Sequence, residues 1–74
     1  MNLAQLPQGE RCIITAVDGS GAFRRRLLEL GMLPGVSVTR SGRAPLGDPI
    51  AYRVRGAVVS LRKRDARLIS VETP

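Results

Sequence analysis

Enzymatic chemistry needs a nucleophile with a base, or metal ligands at workable spacing, and this chain is poor in both. Its 74 residues include no histidine, one cysteine (Cys12) and one lysine (Lys63). Its six carboxylates, Glu10, Asp18, Glu29, Asp48, Asp65 and Glu72, are scattered along the chain rather than clustered. No serine, cysteine or lysine has an obvious neighbouring base, so no catalytic residue is assigned. Divalent metal ions are held by clusters of imidazole, thiolate and carboxylate side chains, which leaves no metal site to assign. Cys12 reads as a small buried hydrophobe. The glycines form neither a dinucleotide fingerprint nor a P-loop, so no cofactor is expected. Asp18-Gly-Ser-Gly21 opens a helix and offers at most a weak anion contact.

Such residues as remain must be positioned by small elements. Residues 10–17 are rich in β-branched side chains and predict a strand, with Cys12, Ile14 and Ala16 on one face and Ile13, Thr15 and Val17 on the other. Ser20 is placed as the cap of a helix over 21–30 whose apolar stripe is Phe23, Leu27 and Leu30. Gly31 then ends the helix in a left-handed turn, Met32 folds back onto Leu27, and Pro34 forbids continuation. Strands follow over 36–43, 50–55 and 57–61, with Gly56 at a bend or bulge between the last two. A helical turn over 62–67 precedes a closing strand over 68–72, and Leu3 and Leu6 lead in. Five short strands in so few residues bury their edges most economically as a small SH3-like barrel. The fold class is therefore mainly β: one domain over 1–74, a five-stranded SH3-like barrel with one inserted α-helix and a short helical turn before the last strand. Its expected core is Ile14, Phe23, Leu27, Leu30, Val38, Tyr52, Val54, Val59 and Ile69.

Length and composition narrow the setting. The chain has room for one domain. It has no apolar run of the roughly 20 residues that a membrane helix needs. The start lacks a signal-peptide pattern, and a single cysteine rules out an internal disulfide, so a complete cytoplasmic protein is expected. The formal net charge is +6, almost all from arginine. That balance suits an anionic partner, or simply a solvated surface. Phe23 and Tyr52 are the only aromatics, and both are claimed by packing, which counts against nucleic acid because single strands bind on several stacking platforms.

Several ordered segments resemble one family. Leu27-Leu-Glu-Leu-Gly-Met-Leu-Pro-Gly-Val36, Arg43-Ala-Pro-Leu-Gly-Asp-Pro-Ile50, Arg53-Val-Arg-Gly56 and Ser60-Leu-Arg62 together are similar to FeoA, the small cytoplasmic protein of bacterial ferrous iron transport, and to the same domain in some metal-responsive repressors. The resemblance spans about Leu3 to Val71. It implies an SH3-like barrel acting as an accessory or regulator of FeoB, the membrane-embedded ferrous iron transporter, on its cytoplasmic part and so near the inner face of the membrane. The competing readings are a basic barrel on nucleic acid and the metal-sensing, repressor-associated form of the domain.

A docking surface is expected by subtraction. With Phe23, Leu27 and Leu30 given to the core, Leu28, Met32 and Leu33 at the helix end and Pro45 and Leu46 in the hairpin loop are left without structural duty. Two prolines stiffen that loop, and preorganised apolar anchors are what small interfaces use. Arg24, Arg25 and Arg43 are placed as the charged rim that steers an acidic partner.

Overall fold

The computed structural model describes residues 1–43 and 45–74, with the side chain of Arg43 outside that description. Among the described residues there are five strands: β1 (Arg11–Val17), β2 (Ser37–Arg43), β3 (Ile50–Val54), β4 (Ala57–Leu61) and β5 (Ile69–Glu72). They form one antiparallel sheet in the order β4-β3-β2-β1-β5. Helix α1 (Gly21–Glu29) is inserted after β1, and the one-turn helix α2 (Lys63–Ala66) precedes β5. The mainly β architecture, with its inserted helix and late helical turn, is the expected one.

Two irregularities bend the sheet. The pairing of β1 with β5 shifts between Ile14 and Ala16, and that of β2 with β3 shifts between Arg40 and Gly42. An extra residue on one strand bends it and resets which side chains face inward. On β1 the consequence corrects the sequence reading: Cys12 and Ile14 are buried as expected, but Ala16 is exposed and Val17 is buried in its place. Strict alternation ended at the bulge.

The helix stop follows its residues closely. Gly31 takes φ +94°, its amide donates to the Leu28 carbonyl at 3.0 Å, and the Met32 amide donates to the Leu27 carbonyl at 3.0 Å. These are the paired bonds of a Schellman motif, and Met32 swings back into the core at 0% exposure. Leu33 to Val36 then form a turn, closed by Val36 N–H to the Leu33 carbonyl at 3.1 Å. The turn is stitched to β1 by Gly35 N–H to the Ile14 carbonyl at 2.7 Å. Ser20 is the cap residue by position, yet its side chain makes no capping bond. Gly56 is not a bulge: Val54 pairs with Ala57 across a two-residue turn in which Arg55 and Gly56 have φ +51° and +82°. Positive φ at both central positions is what a tight hairpin requires, and glycine supplies it at the second without cost.

The core gathers Leu3, Leu6, Cys12, Ile14, Leu27, Met32, Val38, Ile50, Tyr52, Val54 and Ile69 among others, all nearly inaccessible. The lead-in residues do more than fill space. Leu3–Gln5 make a 3-10 turn, Asn2 bridges Ser70 on β5, and Leu3 and Leu6 are fully buried. Tyr52 Oη donates to the Leu3 carbonyl at 3.1 Å, and Arg40 Nη1 donates to the Leu6 carbonyl at 2.8 Å, so β2 and β3 clasp the N-terminal segment.

Three expected core residues fall short of the buried core: Phe23 and Val59 are only partly buried against it, and Leu30 is exposed. Leu30 is 40% exposed, while Leu28, assigned to the surface, is half-buried and packs on the core cluster. Residues on a helix are set about 100° apart, so a buried direction lying between Leu27 and Leu28 carries Phe23 and Leu30 to the edge. The helix is rotated relative to its apolar stripe, leaving Phe23 partly buried and Leu30 facing outward.

Candidate apolar groove with a basic rim

That rotation opens a groove. Phe23, Arg26 and Leu27 of α1 and its C-cap residue Leu30, spaced at i, i+3, i+4 and i+7, form one wall. The facing wall comes from the end of β4 (Ser60, Leu61) and from Arg62, Arg64 and Asp65 around α2, and Pro49 from the β2–β3 loop completes the lining. The cavity volume is about 320 Å³. This lies at the small end of the range for ligand sites and is room for a few side chains rather than a large cofactor.

The loop is tied to the groove by a capping bond. Asp48 Oδ1 accepts from the Lys63 amide at 2.9 Å, so a carboxylate from the β2–β3 loop satisfies a free donor at the start of α2. This fixes Pro49 against the groove, on the same loop that carries Leu46 at 96% exposure. Phe23, Leu27, Leu30, Pro49 and Leu61 give the groove its apolar surface, and Arg26, Arg62 and Arg64 give it a cationic border. Arg26, Arg62 and Arg64 are exposed, and Asp65 pairs with Arg64 (Nε to Oδ1, 3.7 Å). Among the described residues this is the one ion pair, so Arg26 and Arg62 meet the groove as uncompensated charges.

The residues expected to form the docking surface divide three ways. Pro45 and Leu46 are exposed together on the β2–β3 loop, and Leu33, in the α1–β2 turn, is 36% exposed. Met32 is fully buried by the Schellman turn and Leu28 is half-buried on the core, so neither is offered to a partner as expected. Arg24 and Arg25 are exposed, with Arg24 Nε reaching the Val17 carbonyl at 3.3 Å, while the Arg43 side chain falls outside the described structure. Sequence reasoning missed Arg26, Leu30, Pro49, Arg62 and Arg64 as a set. The signal available was Arg26, which sits at i+3 inside the stripe of Phe23, Leu27 and Leu30 and makes that stripe amphipathic rather than purely core-facing.

Among the described residues no group of three or more histidine, cysteine, aspartate or glutamate side chains is placed to hold a metal ion. Cys12 is buried, and burial pushes its thiol pKa up, which keeps it protonated and a poor ligand. Anaerobic calorimetry with ferrous iron is therefore expected to show at most weak carboxylate-type binding. A stoichiometric complex at micromolar affinity or tighter would overturn that expectation.

The FeoA domain model matches residues 1–73 of the chain. The Fe(2+) transport protein A/Fe(2+) transporter FeoB fusion protein of Porphyromonas gingivalis is 44% identical over 72 residues, which are 97% of this chain and 8% of that protein. The solution structure of the FeoA protein from Chlorobium tepidum superposes with a TM-score of 0.92 at 37% identity, covering 99% of this chain and 70% of that one. The zinc-complexed FeoA of Stenotrophomonas maltophilia, described as a prokaryotic SH3 domain protein, superposes with a TM-score of 0.85 at 29% identity over 97% of this chain and 89% of its own. The barrel is thus SH3-like. No helix among the described residues is long and apolar enough to cross a membrane.

Proposed function

The chain belongs to the FeoA domain family, and from that premise we propose that it is a cytoplasmic accessory of ferrous iron uptake that docks on the cytoplasmic part of a FeoB-type transporter. The family is one of transport accessory domains rather than enzymes. The observation that carries the reading is the Porphyromonas gingivalis protein, in which a domain 44% identical to this chain is fused to the transporter itself. Fusion holds a module at high effective concentration next to its target, which is useful where the two act together. A ligand-poor, basic barrel with a preorganised loop fits a docking role better than a carrier role. The docking surface in this reading is the α1/α2 groove together with the exposed Pro45–Leu46 tip beside it, with Leu33, Arg24 and Arg25 as outlying contacts.

The test is capture from membranes with the transporter's cytoplasmic part present or deleted. Capture should be retained with that part and lost without it. Leu46→Asp should leave the thermal midpoint unchanged, since the side chain is 96% exposed. It should weaken capture by at least about tenfold and suppress ferrous-iron-dependent growth, because a few anchors carry most of a small interface. Capture that persists after deletion of the cytoplasmic part would remove the docking reading. Full capture by the Leu46 variant would remove the loop from the surface.

A further inference from the structure

The groove also specifies the chemistry of what it binds. Its apolar surface comes from Leu30 at 40% exposure and the half-buried Phe23 beside it, with Leu27, Pro49 and Leu61 behind them. An apolar side chain entering there releases water from leucine and phenylalanine surface that the fold leaves uncovered. Arg26 stands on the α1 wall, and Arg62 and Arg64 stand on the α2 wall, so positive charge borders the apolar slot on two sides. The only acid in the lining, Asp65, is engaged by Arg64.

An SH3-like barrel invites comparison with polyproline recognition, which relies on aromatic-lined grooves. This chain lacks that surface. Tyr52, its one tyrosine, is fully buried with its hydroxyl committed to the Leu3 carbonyl, there is no tryptophan, and Phe23 stands alone in the groove. The groove offers one aromatic ring where recognition of a proline-rich segment relies on several.

We infer that the groove binds a short acidic protein segment that inserts one or two apolar side chains between flanking carboxylates. The flanking acids meet Arg26 on one wall and Arg62 on the other, and the apolar anchor packs on Leu30, Phe23 and Leu61. This deepens the docking reading by stating the kind of segment the partner presents.

The experiment displays two pools of short peptides to the intact chain, one with central leucine or phenylalanine flanked by aspartate and glutamate, the other proline-rich. A third pool swaps the acids for lysine. The acidic–apolar pool should be enriched over both, and its binding should weaken as salt rises, because the rim charges are exposed and screened. Leu30→Asp should reduce affinity by at least about tenfold with the thermal midpoint held, and Arg26→Glu with Arg62→Glu should do the same while reversing the preference toward the lysine pool. Enrichment of the proline-rich pool, equal retention of the lysine pool, or binding indifferent to Leu30→Asp overturns the inference. So does retention of the chain on phosphatidylglycerol vesicles with no peptide enriched. If the peptides fail but membrane capture still requires the transporter's cytoplasmic part, the docking reading stands and only the groove chemistry falls.

Discussion

Leu27→Ala is expected to lower the unfolding free energy by about 2–5 kcal/mol, the range for truncating a buried leucine. Leu30→Ala should cost less than about 1 kcal/mol. Leu27 lies on the last turn of α1 and Leu30 is its C-cap, in one apolar stripe, yet Leu27 is 2% exposed and Leu30 40%. Leu27 packs into the single core of a domain whose total stability is on the order of 4–11 kcal/mol for this length. The truncated variant therefore sits close to its unfolding threshold. In a domain this small each kcal/mol moves the thermal midpoint by about 4–8 °C, so the contrast will be visible in a melt as well as in urea titration. The pair of measurements tests the rotation of α1 rather than the burial of one side chain. Equal and large losses at both positions would mean that the stripe faces the core and the groove is closed.

The same helix marks where sequence reading succeeds and where it stops. The boundaries of α1 were legible because its stop is local: Gly31 supplies the left-handed turn, Met32 the return contact, and Pro34 the block. The strands were legible because β-branched runs alternate between turn residues. What was not legible was anything set by packing between elements. The apolar stripe fixes which residues of α1 lie together, but not how far the helix rotates when Leu28 also finds the core. The bulge after Ile14 on β1 is another such case, since an extra residue in one strand is defined only by its partner strand. The groove combines both limits. Its walls come from α1 and from residues 60–65, brought together by the sheet, and it is tied to the β2–β3 loop by the Asp48 bond to Lys63. By contrast, the exposure of Leu46 was within reach of sequence, because a leucine between two prolines at a hairpin tip has nothing nearby to cover it.

The stability of the folded chain is expected to fall by about 2–3 kcal/mol between about pH 10 and pH 12, through the single residue Tyr52. Tyr52 is fully buried, and burial pushes its pKa up to about 12, with the Arg40 charge acting in the opposite direction. In the unfolded chain the phenol titrates near its ordinary value of about 10. Below that pH both states hold the proton and stability does not depend on it. Between the two values the unfolded chain releases the proton while the folded chain retains it, which favours unfolding by up to about 1.4 kcal/mol per pH unit. Above the folded value both states are ionised and the dependence levels off. The structural consequence is specific, because a phenolate accepts hydrogen bonds and cannot donate to the Leu3 carbonyl as Tyr52 Oη does. Ionisation therefore unclasps the N-terminal 3-10 turn from β3. Tyr52 is the only tyrosine, so phenolate absorbance reports this one site directly, and urea titration at each pH reports the stability. Tyr52→Phe should cost about 1 kcal/mol at neutral pH for the lost bond and should flatten the alkaline loss. An alkaline loss of the same size in the Tyr52→Phe variant would assign it elsewhere, and a phenolate signal rising near pH 10 in the folded protein would show that the hydroxyl is not held by the core.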